Sequence, residues 1–566
     1  MLTVEIEKRL TTLLAWGSLV VTILVTDRIS ADPVNVGKML ALSLSAGCCI
    51  SILIYAKNQL LQESKLALQL LFGFLIVATI SIIVSRSPWE KGFFGTFGRN
   101  TGLLTYFSLS IFFLSATLLR RDESYIRVIR ALVVAGILNL IYCIFSINGF
   151  DVFTWQNPYG KVLGTFGNPN FISSFMGIFI TALFSLFFME RIKLTHRAAI
   201  TILIIGSFYV IVASGSQQGG VVAIGGIAII IFFLIRSRIK SQIFAASYFF
   251  VLTVSGFVAV LGMLQKGPLA GILYKQSVSL RGEYWQAGIN MGINNPLFGV
   301  GLDSYGVFYR AFRNASATIV PGVNTISDAA HNIFLDVFAG TGFLGLFFYL
   351  ALFGYVLYES FLFIRRSAKF DSIFVLLFSC WLAYQAQTII SINQIGIAVW
   401  GWILGGLLLG YTRKVKLEQS NVQIVHFSNL LKLKKSAASR ELPASLVLGI
   451  FFGGILLFGA TVPSFYADLK LREATTSESA EKLYLAAKQF PLDSNRINYI
   501  ASKISQGGIN EQSVELIRIG LKKFPEDYGL LFSQFQISVP ESDEQKAIGK
   551  RLYLADPYNP AYSKFK

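Results

Sequence analysis

Histidine is scarce in this chain and unevenly placed. Of three histidines, His196 and His426 sit in short basic connections, whereas His331 lies in a long polar loop, 265–341, within Asp328-Ala329-Ala330-His331-Asn332. With an ordinary pKa of about 6.5, an imidazole can exchange a proton near neutrality. A single interfacial histidine can equally be a solvated or helix-capping residue. The same loop carries Arg281-Gly282-Glu283-Tyr284-Trp285. A guanidinium is permanently charged and offers phosphate a planar fork, while Trp and Tyr at a membrane surface also serve as headgroup anchors. Spacing alone leaves both readings open.

Four further polar motifs stand between apolar runs: Gly95-Thr96-Phe97-Gly98-Arg99-Asn100-Thr101-Gly102, Gly164-Thr165-Phe166-Gly167-Asn168-Pro169-Asn170, Ser214-Gly215-Ser216-Gln217-Gln218-Gly219-Gly220 and Asn295-Pro296-Leu297-Phe298-Gly299-Val300-Gly301. Glycines permit tight turns, and exposed helix N-termini bind phosphate. Asn170 is placed to cap the apolar run that follows it. Each motif taken singly reads as loop punctuation.

The elements that must position these residues are apolar. The chain has 566 residues, 54% of them hydrophobic and 14% charged, against about 25% charged in an ordinary soluble chain. A helix needs about 20 apolar residues to cross a bilayer core. Thirteen runs are expected to do so, give or take one: 10–26, 37–56, 67–84, 103–119, 128–147, 171–189, 198–213, 219–235, 243–264, 342–364, 372–390, 397–411 and 444–462. The first is read as a retained helix and not a cleaved signal, because further spans follow it. The fold class expected is all-α: a polytopic transmembrane helical bundle with a C-terminal soluble helical-repeat domain.

Charge sets the expected orientation. Arg120, Arg121 and Arg127; Arg191, Lys193 and Arg197; Arg236, Arg238 and Lys240; and Arg365, Arg366 and Lys369 fill alternate connections, and a linker, 412–442, adds Arg413, Lys414, Lys416, Lys432, Lys434, Lys435 and Arg440. The positive-inside rule then puts the N-terminus in the cytoplasm. Connections 27–36, 85–102, 148–170, 214–218 and 265–341 and the tail face outward. The domains expected are a membrane domain, 1–411, the basic cytoplasmic linker, a final span, 443–463, and an extracytoplasmic tail, 464–566. In the tail, Phe490-Pro491, Phe524-Pro525 and Asp556-Pro557 recur at 34 and then 32 residues, near the tetratricopeptide period of about 34; an unrelated helical cap remains the alternative.

Several function classes fit poorly. The formal net charge is +18, but the cations are scattered between apolar runs and form no stripe on a soluble domain, so nucleic acid is not expected as a partner. The spans are nearly free of ionisable groups, with Asp336 and Glu359 near their ends, which argues against an ion-coupled transporter. No phosphate-binding GxxxxGK[ST] loop occurs. Cys48, Cys49, Cys143 and Cys380 lie in or beside apolar runs without metal-ligand spacing and read as small buried hydrophobes.

Taken in order, the motifs resemble the O-antigen ligase and polymerase superfamily, which includes bacterial O-linked protein oligosaccharyltransferases. The resemblance covers roughly residues 90–410. Arg281-x3-Trp285, Asn295 to Gly301, His331-Asn332-x2-Leu335 and Gly340-x-Gly342-x2-Gly345 carry it; Arg99 and Asn168-Pro169-Asn170 add to it. The chain departs where many members have Ser-Arg after the seventh span, since Ser216-Gln217 stands there.

The resemblance implies a glycan donor on a polyprenyl (undecaprenyl) diphosphate, met in the bilayer at the outer face of a bacterial cytoplasmic membrane. It also implies transfer to an acceptor hydroxyl without metal or other cofactor. The acceptor is a glycan, a lipid or a protein; an O-antigen ligase-like transferase is the expectation, with repeat-unit polymerase and O-linked protein oligosaccharyltransferase as its alternatives. A lipid-linked glycan flippase or exporter and a non-catalytic scaffold are the readings from other classes. On the transferase reading, Arg281 steadies the departing diphosphate, with Arg99 as second candidate, and His331 is the base or acceptor-orienting group. Asp328 is a candidate to orient His331, and Asn168, Asn170, Gln217, Trp285 and Asn332 are candidate substrate contacts. The tail is a candidate dock for a protein partner.

Overall fold

In a computed structural model, all residues are described except 1, 155–156, 190–191, 240, 264, 274–279, 367–368, 429–442, 478 and 509. Arg191, Lys240 and the linker residues Lys432, Lys434, Lys435 and Arg440 therefore lie outside the described residues, as does the side chain of His426.

The protein is all-helical among the described residues. The membrane region consists of α1 (Val4–Ile23), α2 (Asn35–Tyr55), α3 (Lys65–Val84), α4 (Leu103–Thr117), α5 (Asp122–Ile147), α6 (Pro169–Phe187), α7 (Leu194–Ala213), α8 (Gln218–Arg236) and α9 (Gln242–Met263). Two helices of the long loop follow, α10 (Arg281–Asn294) and α11 (Tyr305–Phe312), then α12 (Ile333–Arg366), α13 (Ser372–Thr388), α14 (Ile395–Ser428) and α15 (Ala444–Ser477). The tail adds α16 (Ala480–Ala487), α17 (Ser494–Ile504), α18 (Glu511–Lys523), α19 (Tyr528–Ile537) and α20 (Asp543–Ala555).

Every expected span overlaps a helix, several running a few residues past its end, but among the described residues only ten helices are long and apolar enough to cross a membrane. The first, α1, opens with Glu5, Glu7, Lys8 and Arg9, while α4 and α13 have 15 and 17 residues. These last two sit deep in the bundle, where Phe112, Phe113, Cys380 and Trp381 are buried. Helix α15 lies along α2 with backbones almost touching: a Cβ added at Gly47 would stand 2.2 Å from the Gly453 carbonyl oxygen. Small residues permit such close approach in membrane helix pairs.

Several helices overrun their apolar stretch. At about 1.5 Å per residue, 34 residues reach about 51 Å, beyond a hydrocarbon core of about 30 Å. The excess of α15 packs Leu471 and Ala474 into the core of the tail. Likewise α14 continues through the first part of the expected linker, to Ser428. A further ionisable group near the end of a span is a buried cation. Lys38, in the first turn of α2, is fully buried and donates to the carbonyls of Val21 (3.1 Å) and Thr22 (2.7 Å). It satisfies the last turn of α1, where unpaired carbonyls and the helix dipole favour a cation. The cap of α6 also differs: Asn168, not Asn170, is the N-cap, its side chain accepting from the Asn170 amide (2.9 Å), because Pro169 occupies the first helical position.

Contacts sort the connections into two ends. At one, Glu7 accepts from the backbone amides of Arg120 and Arg121 (both 2.9 Å), Arg120 pairs with Glu63, and Arg236 donates to the Ile364 carbonyl (3.0 Å). At the other, Asn35 donates to the Gly98 carbonyl (2.6 Å), the Asp32 amide meets Asp468 (3.1 Å), and Arg99 faces Asp303 (3.8 Å). The tail docks at this second end. Asp556, just after α20, is fully buried and accepts from Arg313 (2.8 Å to each oxygen) and Arg310 (3.0 Å), whose guanidinium lies 4.0 Å from the Tyr528 ring centroid.

Helix α12 is broken at Gly342, with φ +66° and ψ −166°. The segment Pro296–Gly301 fills the break: Phe343 donates to the Pro296 carbonyl (2.7 Å), Val300 to Ala339 (2.8 Å) and Gly301 to Gly340 (3.1 Å). The expected span, 342–364, thus begins at the break, and the helix extends nine residues further out, from Ile333. A Cβ at Gly342 would stand 2.5 Å from the Pro296 carbonyl oxygen, in a backbone region essentially reserved for glycine. Gly342→Ala is therefore expected to cost about 1–3 kcal/mol. It should lower the unfolding temperature in detergent, whereas Gly354→Ala, with open space at its Cβ, should not.

Candidate functional site

The broken helix fixes three neighbouring pieces. Helix α10 ends at Asn294, immediately before the Asn295–Gly301 segment; α11 follows that segment; and His331 precedes the outer part of α12. His331 has a left-handed backbone (φ +55°), and next to it Asn332 accepts from the Leu335 amide (3.2 Å), opening α12. A tyrosine cluster joins the pieces. The Tyr284 ring lies 5.5 Å from the His331 ring and 5.8 Å from Tyr309, and the Tyr305 hydroxyl donates to the Tyr284 carbonyl (2.7 Å).

Arg281 is the first residue of α10 and only 5% exposed. It has no ion-pair or hydrogen-bond partner among the described residues, and its Nε is buried without one. Burial pushes its pKa down to about 10, with Tyr284 opposing weakly. Burial also pushes His331 down, to about 4; the Arg281 charge adds to the shift, Asp328 opposes it and Arg99 reinforces it. Arg281 and His331 therefore share one electrostatic neighbourhood. At pH 7 the imidazole is neutral and able to accept a proton.

Arg99 has the opposite surroundings. It is 8% exposed, donates to the Asp328 carbonyl, and faces the carboxylates of Asp303 (3.8 Å) and Asp328 (3.9 Å). Burial would lower its pKa, but Asp328, Asp303 and Asp336 together hold it raised. Asp303 also accepts from the Thr96 amide (2.7 Å) and the Thr101 hydroxyl (3.1 Å), so it pins both sides of the Gly95–Gly102 turn. Burial is the main cause that raises the Asp303 pKa, and Arg99 works against it. Among the described residues no group of three His, Cys, Asp or Glu side chains is arranged to hold a metal ion.

Thus the structure groups His331, Arg281, Asp328 and Arg99, with Asn332 next to His331 in the chain, whereas for Trp285 it shows only a buried Nε1 without a partner among the described residues. Asn168, Asn170 and Gln217 stand apart at the starts of α6 and α8. There Ser173 ties the two helices, donating to the Ser216 carbonyl and accepting from the Gly219 amide, both at 3.0 Å. Near the turn that has Gln217 in place of arginine, the Lys161 side chain lies 3.5 Å from where a Gly215 Cβ would be. Asp303, Tyr305, Tyr309 and Lys161 were not singled out from the sequence. Asp303 follows the Gly299-Val300-Gly301 motif closely, the one signal that could have marked it.

Fold and site define a polytopic helical membrane protein with a charged, aromatic cluster of side chains at one end. The family model described as O-antigen ligase matches residues 199–350, from α7 through the break in α12. The matched stretch contains Arg281, Trp285, the Asn295–Gly301 segment, His331 and Gly340–Gly345. This supports membership of the O-antigen ligase and polymerase superfamily. No curated protein matches the chain.

The electrostatics carry a sign that can be measured. Removing the Arg281 charge, as in Arg281→Gln, should raise the His331 pKa from about 4 toward 6.5. Histidine-labelled NMR titration of the full chain would show it, and an unchanged His331 titration would separate the two groups.

Proposed function

We propose that this protein transfers a glycan from a polyprenyl diphosphate to an acceptor hydroxyl, without metal, at the outer face of a bacterial cytoplasmic membrane. The observation that carries the reading is Arg281: a buried cation without a described counter-charge, acting on a neutral imidazole. A buried charge lacking a partner costs several kcal/mol, so such a site favours an incoming anion.

The reaction uses both groups. The acceptor hydroxyl gives its proton to His331 as its oxygen bonds to the anomeric carbon of the glycan. The bond from that carbon to the diphosphate oxygen breaks, and the electron pair leaves with the lipid diphosphate. Arg281 counters the charge that develops there, as preorganised cations do in low-dielectric sites. A base with a pKa near 4 is weak at neutral pH, because catalysis favours a pKa near the working pH. A bound diphosphate offsets the Arg281 charge that depresses His331, and so strengthens the base when donor is present. Arg99, compensated by carboxylates, fits a scaffolding role better than donor binding.

The segregation of basic connections at the end opposite the pocket supports a cytoplasmic N-terminus. The successive short helices of the tail support the tetratricopeptide-like reading. Ligase, polymerase and protein oligosaccharyltransferase differ only in the acceptor hydroxyl and share these steps.

Purified full chain given labelled polyprenyl-diphosphate glycan and acceptor should release lipid diphosphate as glycan appears on the acceptor. His331→Ala and Arg281→Ala should each cut transfer by about 10²–10⁴-fold, the usual range for a general base, at unchanged expression and insertion. A His331→Ala protein with the wild-type rate would refute the base assignment.

A further inference from the structure

A cleft of about 720 Å³ lies between the tail and the long loop, apart from the His331 pocket. Phe308 and Phe312 of α11 line it on the loop side and Glu526 and Arg551 on the tail side, with Arg86 and Asn294 also in the lining. Helix α11 borders both the cleft and the tyrosine cluster beside His331. Phe308 and Phe312, one turn apart, face the cleft, while Tyr305 and Tyr309, also one turn apart, pack toward Tyr284. Ligand sites commonly enclose about 300–1,000 Å³, so the cleft is large enough for several sugar units.

We infer that this cleft is a binding site for a neutral oligosaccharide, the distal part of the glycan whose reactive end is handled beside His331. The inference rests on the proposed transferase reading. Its chemistry comes from the lining. The cations there are already engaged: Arg86 lies 3.7 Å from Glu526, and Arg551 donates to the Pro525 carbonyl. Two arginines against one glutamate leave a formal charge of +1 over the whole lining, with no cluster of free cations to mark a phosphate site. Instead the cleft presents aromatic surface beside planar polar groups. The Asn294 amide nitrogen donates back to the Asn290 carbonyl (2.8 Å), which leaves its side-chain oxygen as an acceptor. Apolar faces with a few fixed donors and acceptors suit a polyol. The walls are held in register by the buried Asp556 pair with Arg310 and Arg313, so the cleft is formed before any ligand arrives.

The test uses full-length protein in detergent, titrated with the oligosaccharide freed by mild acid from the host's own polyprenyl-diphosphate pool. Saturable binding by calorimetry and saturation-transfer NMR is expected. The exposed pair Glu526→Ala/Arg551→Ala should weaken it at least tenfold at unchanged unfolding temperature. Asn294→Ala, at the end of α10, should weaken it in the same direction. Absence of saturable binding, binding indifferent to both variants, or capture of inorganic phosphate or anionic vesicles in its place would overturn the inference. Binding that persists in a protein unable to transfer glycan would leave the cleft standing and remove the proposed function instead.

Discussion

The break in α12 is the constraint on which the site depends. Backbone groups at membrane depth must find partners within the protein, because lipid offers none. At Gly342 the helix gives up its own ladder, and Pro296, Val300 and Gly301 replace it. That exchange locks a loop segment against a span. The segment carries α10 on one side and α11 on the other, while the outer part of the broken helix begins two residues after His331. Glycines at 299, 340 and 342 are thus explained by backbone approach, and chemistry is left to the residues they hold in place.

Two arginines within this frame show how surroundings divide labour. Arg99 is clasped by Asp303 and Asp328 and ties the turn after α3 to the long loop. Arg281, equally buried, has no such compensation among the described residues. Breaking a buried pair costs about 3–5 kcal/mol because a bare charge remains. Among the described residues Arg281 is in that condition, at a position suited to an anion. The tail repeats the compensated pattern, with Asp556 serving both Arg310 and Arg313. Through α11 it buttresses the tyrosines around His331.

Apolar runs revealed the spans because lipid-facing and core-facing helices share the same composition. Hydropathy could not show that α14 and α15 continue as polar helix beyond their apolar stretches. Lys38 was passed over because one cation inside an apolar run leaves the average intact; only tertiary contact with the end of α1 explains it. The order of Arg281, Asn295–Gly301, His331 and Gly340–Gly345 carries the family resemblance, and the family match covers these residues. Their mutual pairing was not legible, because a contact between residues 300 and 339, or 99 and 303, leaves no local periodicity. Asn168 over Asn170 could have been read from Pro169 alone.

The central claim is that one pocket places an uncompensated cation beside the imidazole that takes the acceptor proton, and that the donor's diphosphate binds there. The most direct measurement is the His331 titration by NMR in the intact protein, with and without a short-chain prenyl diphosphate. Occupancy should raise the His331 pKa above its resting value of about 4, and Arg281→Gln should remove that response. A His331 titration indifferent to saturating diphosphate would contradict the account.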